Sequence, residues 1–284
     1  MTASNQPENE KTMTRPMIAA CAALSAALSL AACTTVETTK GGTVGVDRKQ
    51  TMSALAPPSQ QVDQMAAQQY LQIKQEAGKK NALNRDARQT ERVRGIAERL
   101  IPQTAVFRPD APRWSWEVNV LSSNEVNAWC MPGGKIAVYS GLIEKLNATD
   151  DELAAVMGHE ISHALREHAR ERMGRQQATG IGVAVLEIFS GVSLGSLGQT
   201  FAESMFVLPN SRENEQEADR IGVELAARGG YDPRAAVSLW KKMASLGGGQ
   251  TPQWLSTHPS HETRIRDLQD YSQRVMPLYE KAKR

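Results

Sequence analysis

Residues 159–163 read His-Glu-Ile-Ser-His, and no other stretch constrains the chain as tightly. Two histidines four positions apart lie about one turn from each other on the same face of a helix, so both rings can reach one ion. The surrounding sequence predicts that helix. Thr149 followed by Glu152 forms a capping box that sets an N-terminus just before the motif. Leu153, Met157, Ile161 and Leu165 then recur as a core-facing stripe, with His159 and His163 on a neighbouring stripe and Glu160 beside them. Between Asp150 and Arg172 only Gly158 interrupts, and a small residue next to a ligand lets another segment approach closely. Neutral imidazoles with one carboxylate make a zinc set, and three protein ligands leave a fourth position for water. The pKa of such water falls to about 7. The motif therefore implies a zinc peptidase; the alternative is an amphipathic helix with solvated histidines.

The third ligand must come from elsewhere. A three-histidine branch would continue with Gly at 166 and His at 169, but Arg166 and Ala169 stand there and exclude it. His168, five residues past His163, points off the metal face of a regular helix and is read as structural or solvated. The stretch from Ser211 to Gly222 supplies carboxylates, with Ser211 as N-cap. Glu213, Glu215 and Glu217 compete there. Glu215 and Asp219 share a helical face, which suits Glu215 as ligand and Asp219 as acceptor of a ligating histidine's free N–H. Glu213 and Glu217 are expected on a solvated acidic face.

His159–His163 with Glu215 and Asp219 resembles the gluzincin metallopeptidases that include HtpX and the CaaX prenyl proteases. The likeness extends to Asn127–Leu142, a strand–turn–strand, to Gly230–Ala236, and to Thr257-His-Pro-Ser-His-Glu-Thr-Arg264, spanning about residues 85–270. It is nearest the periplasmic lipoprotein branch, the BepA and LoiP type, and the sequence ends without tetratricopeptide repeats, as in the LoiP type. The resemblance implies an α+β, mainly helical, zincin-like domain with a small β-sheet beside the His-Glu helix, binding one Zn²⁺ through His159, His163 and Glu215. Glu160 would take the water's proton and pass it to the leaving amine. His258 and Arg264 would stand near the substrate as oxyanion donors. A second role for His258 is a fourth ligand that keeps the enzyme latent, and the plain alternative is a surface histidine before Pro259. The resemblance also places a strand edge above the zinc helix, where extended substrate gains main-chain hydrogen bonds. Trp116, Val118 and Val120 alternate with polar residues as a half-buried strand should, and Pro132-Gly-Gly reads as the turn before a strand from Lys135 to Ser140.

The N-terminal segment carries a location. Residues 1–32 read as a signal peptide: Lys11 and Arg15, then an apolar alanine-rich stretch, then small residues. Leu30-Ala-Ala-Cys33 resembles a lipoprotein processing site with Cys33 lipidated, and Thr34 after it favours the outer membrane of a Gram-negative cell. Residues 33–59, rich in Thr, Gly, Ser and Pro, are expected to be a flexible tether. Residues 60–284 then form one domain, starting with helices over Gln60–Ala77 and Arg85–Leu100. Cys130 is left as a lone thiol in a strand, suited to packing. Gly180–Leu208 is expected as a helical hairpin or mobile flap near the active site, since no run of it is long and apolar enough to span a bilayer. Ser260 is expected to cap a helix containing His261. A net charge of +2 argues against nucleic acid as a partner. The partners implied are unfolded or misassembled proteins, the membrane holding the anchor, and the outer-membrane assembly machinery. Two functions fit: an endopeptidase clearing damaged envelope proteins, or a chaperone-like factor using the same groove with little proteolysis.

Overall fold

A computed structural model describes residues 33–177, 197–246, 253–259 and 262–284. The motif helix, α4 (Asp150–Leu165), starts where the capping box puts it. The Glu152 amide donates to Thr149 Oγ1 at 3.2 Å and the Thr149 amide to Glu152 Oε2 at 2.9 Å. Such a cap is worth about 1 kcal/mol. Leu153, Met157, Ile161 and Leu165 are all fully buried. The opposite face is buried too, so this helix runs through the middle of the domain.

Before it come α1 (Ser59–Lys79), α2 (Ala87–Leu100), three strands, and the short α3 (Ser140–Lys145). The strands are β3 (Glu117–Leu121), β4 (Ala128–Met131) and β5 (Lys135–Tyr139). Their order in the sheet is β3-β5-β4, with β3 and β5 parallel and β4 and β5 joined as an antiparallel hairpin. Gly133 and Gly134, at φ of 74° and 83°, make the hairpin turn that side chains with a Cβ resist. Alternation along β4 sorts its side chains. Ala128 and Cys130 join the core around α4, whereas Trp129 and Met131 join a second cluster with Val62, Ala66 and Tyr70 of α1 and with Phe201. The sheet thus lies between α4 and α1, and β4 is left as its edge.

After α4 the chain turns through Arg166 and Glu167, and residues 168–177 are again helical (α5). Then follow α6 (Leu197–Phe206), α7 (Arg212–Arg228), α8 (Ala235–Ser245), α9 (Gln253–Thr257) and α10 (Glu262–Ala282). The described architecture is the expected α+β, mainly helical one. Most of 180–208, together with residues 1–32, expected to be a signal peptide, and Ser260 and His261, lies outside the described residues. No described helix is long and apolar enough to cross a membrane.

One expectation is overturned. Residues 33–53, the larger part of the 33–59 stretch read as a flexible tether from its composition, fold onto the domain. β1 (Cys33–Val36) and β2 (Gln50–Ser53) pair antiparallel. The loop between them buries Val44 and Val46 in the main core. Its backbone is fastened at Lys40 N–H to Phe107 O (2.8 Å) and at Val44 N–H to Glu224 Oε2 (2.8 Å). The polar, glycine-rich composition hid a few apolar anchors that dock in a groove.

Helices α4 and α7 cross with their backbones in near contact. A Cβ on Gly158 would stand 2.8 Å from Gly222 O, and one on Gly222 would stand 2.8 Å from the His159 amide nitrogen. These are backbone atoms of a helix and cannot give way locally. Gly222→Ala should therefore force the helices apart and lower stability by about 1–3 kcal/mol, read as a lower midpoint in thermal or urea unfolding.

Candidate active site

The close crossing of α4 and α7 brings their functional side chains into one buried cluster. His159 Nε2 and His163 Nε2 face each other at 3.0 Å. Glu215, on the first turns of α7, completes the triangle: Oε2 lies 3.6 Å from His159 Nε2 and Oε1 lies 3.4 Å from His163 Nε2. Ser211 caps α7 by accepting from the Asn214 amide, which fixes where that turn begins. With His258, these residues bring four ligand atoms within 4.8 Å of one another. Glu215 is fully buried, and neither carboxylate oxygen accepts a well-directed hydrogen bond, although Arg264 Nη1 stands 2.7 Å from Oε2. Burying carboxylate oxygens in that way is costly unless a cation meets them. Two imidazoles and a carboxylate with lone pairs converging suit a tetrahedral nitrogen- and oxygen-seeking ion.

The other side of His159 is held as its spacing implied. Its Nδ1 lies 3.0 Å from Asp219 Oδ1. Arg264 grips Asp219 with two hydrogen bonds, Nε to Oδ2 and Nη2 to Oδ1, both 2.7 Å, while its plane stacks 4.0 Å over Trp240. The remaining Nη1 also donates to Pro259 O at 3.0 Å. Every nitrogen of Arg264 is thereby engaged, and the residue is buried behind the carboxylates instead of facing the cleft. This corrects its expected place as an oxyanion donor beside the substrate: it clamps Asp219 and Glu215.

Glu160 points the other way, into a cleft of about 1070 Å³. Its Oε1 accepts from the indole N–H of Trp254 at 2.7 Å. Burial pushes its pKa up to about 7, against the pull of His159 and Trp254. His258 lines the same cleft, with Nε2 3.5 Å from Glu160 Oε1, and is buried, which removes the surface-loop alternative. Its ring stacks on Trp254 with centroids 4.6 Å apart. His258 Nδ1 lies 3.0 Å from Trp254 O, a pure acceptor, so Nδ1 carries the proton. Burial keeps the imidazole neutral, so Nε2 presents a lone pair toward the cluster. That tautomer matches a ligand better than an oxyanion donor. Trp254 was missed in the sequence because a lone tryptophan in a five-residue helix has no spacing to read.

The edge strand β4 and residues 123–127 before it form one wall of the cleft, and Met205 and Phe206 at the end of α6 contribute to another. Cys130 lines it from β4 as a free thiol but is buried, which raises its pKa well above the ordinary value. Glu213 is exposed, as expected. Glu217 is not: it is buried and paired with Arg166 Nε at 3.0 Å, with His168 Nε2 at 3.1 Å, and with Arg48. Its expected place on a solvated face is therefore corrected. The partners that bury it come from remote parts of the chain.

A sequence model for peptidase family M48 matches residues 87–272. The chain belongs to peptidase family M48. Members of that family are zinc-dependent metallopeptidases, which agrees with the cluster's donor set. The mitochondrial metalloendopeptidase OMA1 of Arabidopsis thaliana is 41% identical over 154 residues, covering 54% of this chain and 31% of the relative. The mitochondrial metalloendopeptidase OMA1 of Homo sapiens is 35% identical over 184 residues, 60% of this chain and 34% of the relative. A beta-barrel assembly-enhancing protease of Escherichia coli is 29% identical over 170 residues, 56% of this chain and 35% of the relative. The matched part of this M48 chain thus spans about a third of the length of these relatives.

Asp219→Ala should lower Zn²⁺ affinity about 10- to 100-fold, and Glu215→Ala should leave the purified protein nearly free of zinc, both measured by metal analysis after dialysis against a weak chelator. Zinc retained at full stoichiometry by the Glu215 variant would remove Glu215 from the ligand set.

Proposed function

We propose that this chain is a zinc-dependent endopeptidase of the cell envelope that hydrolyses unfolded or misassembled proteins with a water activated by Glu160. The observation that carries the reading is the meeting, beside a cleft that His163 and Glu160 line, of the cluster His159, His163 and Glu215 with a buried carboxylate, Glu160, that belongs to neither the ligand set nor the Asp219–Arg264 clamp. Zinc, when bound, polarises the scissile carbonyl and lowers the pKa of the attacking water to about 7. Glu160, with a proton affinity suited to neutral pH, takes that water's proton and delivers it to the departing amine. Trp254 fixes the carboxylate so that one oxygen stays free for the water. A substrate in extended form adds to the edge of β4 that lines the cleft, through main-chain hydrogen bonds that demand little of its sequence. His258, whose ligand atom stands with those of His159, His163 and Glu215, would act as a latch by competing with water for the metal, and would have to shift before turnover.

The location rests on the N-terminal segment. Cys33 after Leu-Ala-Ala is proposed to carry lipid, anchoring the domain in a Gram-negative envelope, and several acyl chains suffice for stable attachment. Similarity to a beta-barrel assembly-enhancing protease of Escherichia coli supports outer-membrane protein assembly as the setting. The LoiP-like lipoprotein branch is the proposed place within the family.

Glu160→Gln should bind zinc normally yet cleave casein at least about 100-fold more slowly; equal cleavage by both proteins would end the mechanism. His258→Ala should raise the cleavage rate, whereas collapse of activity would identify His258 as a substrate-facing donor. Cys33→Ser should abolish labelling by a radioactive fatty acid and release the protein from the membrane fraction; an acylated Cys33 variant would refute the anchor.

A further inference from the structure

We propose that His168 is a positioning residue for the metal centre, holding His163 through a relay that ends on Arg48 of the N-terminal strap, residues 33–53 that pack onto the domain. The proposal rests on His163 being a ligand. His163 Nδ1 lies 2.8 Å from His168 Nδ1, and His168 Nε2 lies 3.1 Å from Glu217 Oε2. All three residues are buried. A carboxylate only accepts, so the proton of neutral His168 sits on Nε2 and its Nδ1 is a lone pair. His163 must then donate its Nδ1–H. The consequence is that His163 Nε2 is bare and aimed at His159 and Glu215. One end of the relay therefore decides the tautomer of both rings.

The end is firmly held. Arg166 Nε donates to Glu217 Oε2 at 3.0 Å, and Arg48 Nη2 donates to the same oxygen at 3.0 Å. Arg48 is itself fastened by the strap. Its carbonyl accepts from Arg166 Nη2 at 2.9 Å, Thr39 Oγ1 accepts from Arg166 Nη1 at 3.0 Å, and Gln50 Nε2 donates to Arg166 O at 2.6 Å. The fold takes trouble to place His168 there. On a continuous helix, five residues would carry it about 140° around from His163. Glu167 instead adopts φ of 53°, the left-handed region, and is kept in it by Arg108, Arg170 and Ser59. That break brings the ring back against the far side of His163. The two ligand histidines are thus supported differently: His159 directly by Asp219, His163 through an inserted imidazole.

The test uses the full chain and reads zinc affinity by chelator competition, together with the visible spectrum of the Co²⁺-substituted protein. His168→Phe, which fills the space without an acceptor, should weaken Zn²⁺ about 10- to 100-fold and alter the Co²⁺ spectrum. His168→Asn, whose Oδ1 stands where Nδ1 stood, should recover most of that loss. Arg48→Met, remote from the ligands, should weaken Zn²⁺ about 2- to 5-fold in the native background and not at all beside His168→Phe. Wild-type affinity in His168→Phe, or equal losses in the Phe and Asn variants, would overturn the relay. If the Phe variant does not fold, unchanged affinity in Arg48→Met overturns it alone. His163→Ala separates the two levels: zinc retained there would refute the ligand reading itself, and persistent casein cleavage by Glu160→Gln would refute the peptidase mechanism with the relay untouched.

Discussion

Two helices meet here at the distance of bare backbone, and the site is a consequence of that contact. The histidines ride on α4 and the carboxylates on α7. For Glu215 oxygens to stand within 3.6 Å of both imidazoles, the helix axes must come nearer than any Cβ permits. Gly158 and Gly222 face each other at the crossing and provide that distance. Gly158 lies directly before His159, so the residue that admits the second helix also sets the height of the first ligand.

The cluster concentrates charge on buried side chains, and the structure offsets the cost by pairing in layers. Behind His159 stands Asp219, and behind Asp219 stands Arg264. Behind His163 stand His168, Glu217 and two arginines. Removing one member of such a set leaves an uncompensated buried charge, which costs far more than the intact pair contributes. The arginines are also the residues whose fork geometry fits a carboxylate with two bonds at once.

Much of this was legible in the residues. Thr149 and Glu152 announced the helix start, the stripe from Leu153 to Leu165 its buried face, and the four-residue offset of Glu215 and Asp219 their common side. These are local regularities, repeated at the period of the helix, so a sequence displays them. What stayed hidden depends on contacts between distant segments. Trp254 reaches Glu160 across 94 positions and Arg48 reaches Glu217 across 169, and neither pair shares a period. Arg264 was visible as a site residue but not the direction it faces. His168 was read as structural or solvated and off the metal face; its contact with His163 stayed hidden because Glu167, a single residue with left-handed backbone, resets the helical phase. The strap was misread because composition reports average polarity, while Val44 and Val46 dock as individuals.

The distribution of these contacts along the chain has a bearing on how the protein is made. A ribosome delivers the polypeptide from its N-terminus, and domains complete themselves as the necessary segments emerge. His159 and His163 appear well before Glu215, and Trp254, His258 and Arg264 come later still. A partly synthesised chain therefore holds the histidines without the carboxylates that neutralise an ion and without the tryptophan that aims Glu160. If the finished molecule cuts unfolded polypeptide, its own unfinished form is the substrate nearest to hand. Scattering the centre over the second half of the sequence keeps the catalyst unassembled until the last support has emerged, so the order of synthesis itself acts as a safeguard.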